Sequence, residues 1–181
     1  MERNHVVLVN ENNETLGVMD KMAAHRKGFL HRAFSVFIFN DKNELLLQQR
    51  AGHKYHGGDL WTNTCCSHPK FGEDVKESAM ERLYFEMGLA CDIHYSHAFI
   101  YKAAVENDLI EHEYDYIYIG YTNDIPMINQ DEVQAYKWSS IAAVLDDIEM
   151  NPANYTYWFK EAFPMVVYYL ELEQKLLATA L

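Results

Sequence analysis

DVKESAMERLYFEMG, residues 74–88, reads as a helix with both of its ends written into it. Asp74 precedes the helical pattern and Glu77 follows three residues later, the spacing of a capping box. Val75, Ala79, Met80 and Leu83 make the expected buried stripe, and Gly88 is a natural terminator. Strand-forming runs lie on both sides of this helix, and that placement decides the fold class. Upstream, His5–Asn10 and Thr15–Asp20 flank the polar turn Glu11–Glu14 as a hairpin. Ala33–Asn40 (AFSVFIFN) is a strand of aromatic and branched residues, turned by Asp41–Glu44 into a second strand over Leu45–Gln49. Ala51–Asp59 reads as a loop, and Trp61–His68 as extended chain ended by Pro69. Downstream come strands over Ile93–Ala103, Leu109–Tyr121 and Ala135–Ser139. Ser139 or Ser140 caps a helix through Met150, which Asn151-Pro152 breaks, and Pro164 begins or kinks a terminal helix through Leu177. The sum is an α/β domain of the layered α+β kind: a mixed sheet flanked by helices, with extra strands at the N-terminus and helices at the C-terminus.

At 181 residues, 49% hydrophobic and 23% charged, the chain suits one folded domain over residues 1–181. No apolar run reaches the length of a bilayer span, and the start, Met1 to His5, lacks a basic stretch followed by an apolar segment. The expected location is cytoplasmic. A formal net charge of -12 excludes the broad basic footprint of a nucleic-acid binder. An anionic small molecule is still compatible, because exposed charges beyond roughly 8 Å are screened at physiological salt. It requires a local gathering of cations. Cys65, Cys66 and Cys91 form no even framework, and the adjacent pair has poor disulfide geometry, so thiols are expected. Monomer and homodimer are equally open.

The stretch LIEHEYDYIYIGY, residues 109–121, carries the first chemistry. Side chains two apart on a strand share a face, so Glu111, Glu113 and Asp115 project together. Carboxylates crowded on one face repel unless a cation or a bound proton compensates. His25, His31 and His68 are the candidate imidazole partners. Three imidazoles and two carboxylates suit Zn, Mn or Fe in five- or six-coordination. The plainer possibility is a solvated face bearing paired carboxylates, in a chain with nine histidines to scatter.

Four segments in order, LHRAFSVFIFN (30–40), LLLQQRAGHKYHGGDLWTNTCCSHP (45–69), ERLYFEMGL (81–89) and IEHEYD (110–115), resemble the type I isopentenyl-diphosphate Δ-isomerases. WTNTCCSHP is the most specific of them. That family has the Nudix fold, so the resemblance implies a Nudix-like sheet. Against the Nudix hydrolase motif, Glu73 and Glu86 are in place. Ser67 replaces the first Gly, Glu81-Arg82 stands where Arg-Glu is expected, and Phe85 replaces a metal-binding carboxylate. A hydrolase acting on a nucleoside diphosphate derivative, the alternative, needs that carboxylate cluster to hold metals that activate water.

The resemblance implies a divalent metal (Mn, Zn or Mg) held by His25, His31, His68, Glu111 and Glu113. It also implies a Mg2+ carried by Glu86 and bridging to the diphosphate of a small-molecule substrate. Cys66 and Glu113 are then the acid/base pair, with Tyr101 and Trp158 beside them, and Lys21, Arg50, Lys54 and Arg82 contact the diphosphate. Cys65, an extra thiol, is set aside only by the match of Cys66 to Cys-Ser-His-Pro.

Overall fold

A computed structural model describes residues 4–179; residues 1–3 and 180–181, counted with the domain on sequence grounds, lie outside it. Its spine is the strand foreseen around AFSVFIFN, here β3 (His31–Phe39). Before it come the hairpin β1 (His5–Val9) and β2 (Thr15–Asp20), then a short helix, α1 (Lys21–Lys27). After it come β4 (Glu44–Arg50), β5 (Trp61–Thr62), β6 (Cys65–Ser67), α2 (Val75–Met87), β7 (Ile93–Val105), β8 (Leu109–Tyr121) and β9 (Val133–Ser140). The chain closes with α3 (Ile141–Met150), a single 3-10 turn at Pro152–Asn154 and α4 (Tyr157–Thr179).

β3 has different neighbours along its two edges. On one edge β8 runs parallel to it for its whole length, from His31↔Glu113 to Phe39↔Tyr121, and β7 extends the sheet beyond β8. On the other edge β6 lies antiparallel, with Phe34↔Ser67, Ser35↔Cys66 and Val36↔Cys65. β4 meets β3 at Phe39↔Leu45 and then pairs with β9 and β5 instead. The two strands therefore fork. The TNT of WTNTCCSHP ties the fork together: the Thr64 hydroxyl donates to the Leu46 carbonyl (2.6 Å) and accepts from the Ile38 N–H (2.9 Å). Two backbone groups that lose ladder partners at the fork are satisfied in this way. The same tie divides the expected extended run Trp61–His68 into two short strands.

Alternation along β3 sends Phe34, Val36 and Ile38 to the face covered by α2, where they meet Ala79, Leu83 and Met87. Phe37 and Phe39 go to the other face, under Phe159, Phe163 and Val166 of α4. Helices on both faces of a mixed sheet are the expected fold class. Met80 is the error in the predicted stripe: it is 37% exposed, and Met87 completes the i, i+4 row in its place. Asp74 accepts from the Glu77 N–H, and Gly88 is left-handed at φ 67. A Cβ on Gly88 would stand 2.8 Å from both Cβ and O of Met127. Gly88→Ala is therefore expected to lower stability by about 2–3 kcal/mol, strain and clash together, measured by urea unfolding.

α1 is unforeseen, and α4 decides between the two readings of Pro164. α1 has seven residues, too few for a periodic signal, and its only marks are the cap at Asp20 and left-handed Gly28. α4 begins at Tyr157 and carries Pro164 in its interior. Interior proline costs about 3 kcal/mol. Burial of Phe159, Ala162, Phe163 and Val166 on one helical stripe offsets it.

Candidate active site

Along β8 the inward row changes character. Ile117 and Ile119 belong to the apolar core beneath α4, whereas Glu111, Glu113 and Asp115 on the same face are buried carboxyl groups beyond it. β3 changes in parallel register, from Phe37 and Phe39 to His31. One sheet face thus passes from core to site along its strands.

The sequence-predicted ligands converge there. The ring centroids of His25, His31 and His68 lie 4.7, 5.0 and 5.6 Å apart pairwise. His68 Nε2 is 2.8 Å and His31 Nε2 3.5 Å from one Glu113 oxygen, and His25 Nε2 is 3.4 Å from Glu111 Oε2. His25 comes from α1, the helix that sequence reading missed; the Asp20 cap fixes its register.

Outer partners set how these rings face. Nδ1 of His25 meets the Lys21 carbonyl at 2.7 Å, and Nδ1 of His31 meets the Phe29 carbonyl at 2.8 Å. A carbonyl only accepts, so Nδ1 carries the hydrogen and each Nε2 presents a lone pair to the cluster. Those Nε2 atoms, together with Nδ1 of His56 and Oε2 of Glu111, are buried with no hydrogen-bond partner. Such groups cost about 1–3 kcal/mol each unless something satisfies them. Burial drives the His68 pKa down to about 4, keeping the ring neutral. Burial and Glu111 both push the Glu113 carboxyl up, yet the imidazoles of His31 and His68 beside it override them and hold it at about 2. Imidazole nitrogens with two ionised carboxylates match the donor chemistry and the charge of one divalent cation. Two donor groups fit: His25, His31, His68 and Glu113, and His25, His56 and Glu111. His56 was missed because it sits in a loop with no strand or helix period to mark its direction.

A cavity of about 370 Å³ opens beside this cluster, lined by Cys66, His68, Tyr101, Glu111, Glu113 and Trp158, and by Lys21, Arg50, Lys54, Arg82 and Glu86. His25 and His31 are fully buried and outside that lining. Residues opposite one another on adjacent strands share a face, so Cys66, facing Ser35, turns to the cavity while Cys65, facing Val36, joins the α2 core. That separates the two thiols. Burial pushes the Cys66 thiol up to about 12, Arg50 opposing at an Nη1–Sγ distance of 3.8 Å. The Tyr101 hydroxyl donates to the second Glu113 oxygen at 2.6 Å. Trp158 donates to Asn63 at 3.3 Å and has the Arg50 guanidinium 5.1 Å from its ring centre.

The four cations gather although the chain is acidic. Burial lowers the Lys21 pKa first, and Lys54, Arg82 and Arg50 lower it further, against Glu132. Glu132, absent from the sequence reading, bonds Lys54 and lies 3.4 Å from Arg82. Glu86 is bonded by Arg82 and by Gln48 (3.1 Å), and stands outside both donor groups.

Comparison with known proteins agrees with this geometry. The family model described as NUDIX domain matches residues 29–159, which makes this a NUDIX-fold chain. Solved structures agree on the fold: a protein of Deinococcus radiodurans (TM-score 0.67, 17% identity, 81% of this chain and 90% of the other). A MutT protein from Methanosarcina mazei has TM-score 0.62 and 16% identity over 75% of this chain and 91% of the other. Sequence relatives are more specific. An isopentenyl-diphosphate Delta-isomerase of Pectobacterium atrosepticum is 48% identical over 92% of this chain and 93% of its own. Isopentenyl-diphosphate Delta-isomerase 2 of Photorhabdus laumondii is 46% identical over 86% and 88%. The chain belongs to the isopentenyl-diphosphate Delta-isomerases of the NUDIX family.

Proposed function

We propose that this chain, as one isomerase domain over residues 1–181, converts isopentenyl diphosphate to dimethylallyl diphosphate. The observation that carries the reading is the pairing of Cys66 and Glu113, from different strands, on the wall of one cavity that also gathers four cations. The terminal alkene carbon takes a proton through its π pair, leaving a tertiary cation. Loss of a proton from the allylic carbon then restores the double bond. One proton enters and one leaves, so the chemistry needs a donor and an acceptor and no redox partner.

Cys66 and Glu113 supply those two roles. Tyr101, bonded to Glu113, orients the carboxyl and passes or steadies its proton. His25, His31, His68, Glu111 and Glu113 would hold a divalent cation, with imidazoles favouring Mn or Zn over Mg. Such a cation, when bound, neutralises the carboxylates and raises the acidity of a group it touches. Lys21, Arg50, Lys54 and Arg82 grip the diphosphate, and Glu86 would carry a Mg2+ on it. Anchoring the charged end fixes the alkene between the two proton-handling groups. Trp158 covers the carbon skeleton, keeps water from quenching the cation and offers it a ring face. That contact is worth about 2 kcal/mol, so Trp158→Phe, with its weaker ring, is expected to lower kcat roughly tenfold with little change in KM, by steady-state kinetics. The three free cysteines suit a reducing, cytoplasmic setting.

Incubation with isopentenyl diphosphate and Mg2+ in deuterated water is expected to yield dimethylallyl diphosphate carrying deuterium. Product without solvent label would sink the proton-addition mechanism. A nucleotide-hydrolysing reading is disfavoured because Phe85 lines the cavity where that chemistry needs a carboxylate, and Arg82 neutralises Glu86. Phosphate release from nucleoside diphosphate derivatives, with no shift of the double bond, would restore it.

A further inference from the structure

We infer that His56 is a fourth imidazole ligand of the buried centre, bringing its protein donors to six. The inference rests on the metal-bound reading above and adds a residue to it. His56 is 5% exposed, and its Nδ1 has no hydrogen-bond partner. An imidazole has two ring nitrogens to place, and burial with one unmet is uncommon. Its Nε2 stands 2.5 Å from Glu111 Oε1, which joins the ring directly to the carboxylate assigned to the centre.

The ring is held in that pose from several sides. Tyr55 meets it edge-on at 4.4 Å between centroids and Trp158 at 5.5 Å, while the Arg50 guanidinium donates to the His56 carbonyl at 3.2 Å. The next residue, Gly57, has φ 59 and donates its N–H to Glu106 at 3.2 Å. A loop pinned at its backbone and packed at its ring aims a side chain as a strand does.

His56 and Glu111 form a donor group with His25, and His25 also completes the group of His31, His68 and Glu113. One imidazole lone pair binds one cation. His25 can therefore serve only one ion, and the inference joins the two groups through it in a single centre. Six protein donors, His25, His31, His56, His68, Glu111 and Glu113, would satisfy a six-coordinate cation and leave no position for water. Closed coordination separates a centre that holds its ligands in place from one that activates water for hydrolysis.

The test loads the full chain, labelled with 15N-histidine, with Co2+. Hyperfine-shifted exchangeable imidazole N–H signals are counted by NMR, and Co2+ stoichiometry is measured beside them. The expected result is one Co2+ per chain and four such signals, falling to three in His56→Gln. Affinity, read by chelator competition, should fall about ten- to hundredfold, a loss that an outer-shell partner would also give. The signal count therefore decides. Three signals in the unaltered chain, unchanged by His56→Gln, overturn the inference and leave the three-histidine centre standing. Two Co2+ per chain overturn the single centre. No Co2+ bound overturns the metal reading itself and this inference with it. Should His56→Gln fail to fold, the count in the unaltered chain decides alone.

Discussion

Glu113→Gln is expected to reduce isomerisation by about 10³-fold or more while far-UV circular dichroism stays unchanged. A positioned acid or base contributes roughly 10²–10⁴-fold, and this substitution removes the proton-handling group itself. It also removes the negative charge that His31 and His68 face, so metal affinity falls as well. The amide keeps the volume and still accepts from Tyr101, which preserves packing around the cavity. Activity above a tenth of the unaltered rate would remove Glu113 from the acid/base pair. Metal content measured on the same sample separates loss of the ion from loss of the proton carrier.

Cys66→Ala should lower kcat by about 10²–10⁴-fold with KM for isopentenyl diphosphate nearly unchanged, because the thiol handles protons and the gathered cations do the gripping. Cys65→Ala is the matched control. Cys65 is fully buried on the α2 face of the sheet, so its loss costs some stability in the core and leaves kcat near its starting value. Equal loss of kcat in both variants would contradict the assignment, since only Cys66 turns to the cavity. Steady-state kinetics and thermal unfolding on the two variants read both halves of the prediction.

The parts of the fold that sequence made legible are those with strong local marks. Asp74, Glu77 and Gly88 bound α2 because capping and left-handed termination depend on few residues. LIEHEYDYIYIGY shows its alternation openly, and Glu111, Glu113 and Asp115 do share one buried face. α1 is hidden because seven residues carry too little pattern, and the start of α4 is left open because Pro164 can either begin a helix or sit inside one. The candidate ligands followed from residue type and from family resemblance; their convergence did not. His25 and Glu111 meet only because α1 packs beside β8, a tertiary fact. His56 and Glu132 lay beyond reach for the same reason: each sits in a loop, where direction is set by packing and not by period.

β3 is the common neighbour of β6 and β8, so the thiol and the carboxylate are each referenced to one ruler, at Ser35 and His31. Main-chain ladders set that gauge, and substitutions among the cations that grip the diphosphate do not touch it. Drift at the anionic end can thus retune which head group is held while the reacting gap keeps its width. Tolerance lies in the clasp and stringency in the frame, with the Thr64 hydroxyl as the rivet that keeps the frame from opening.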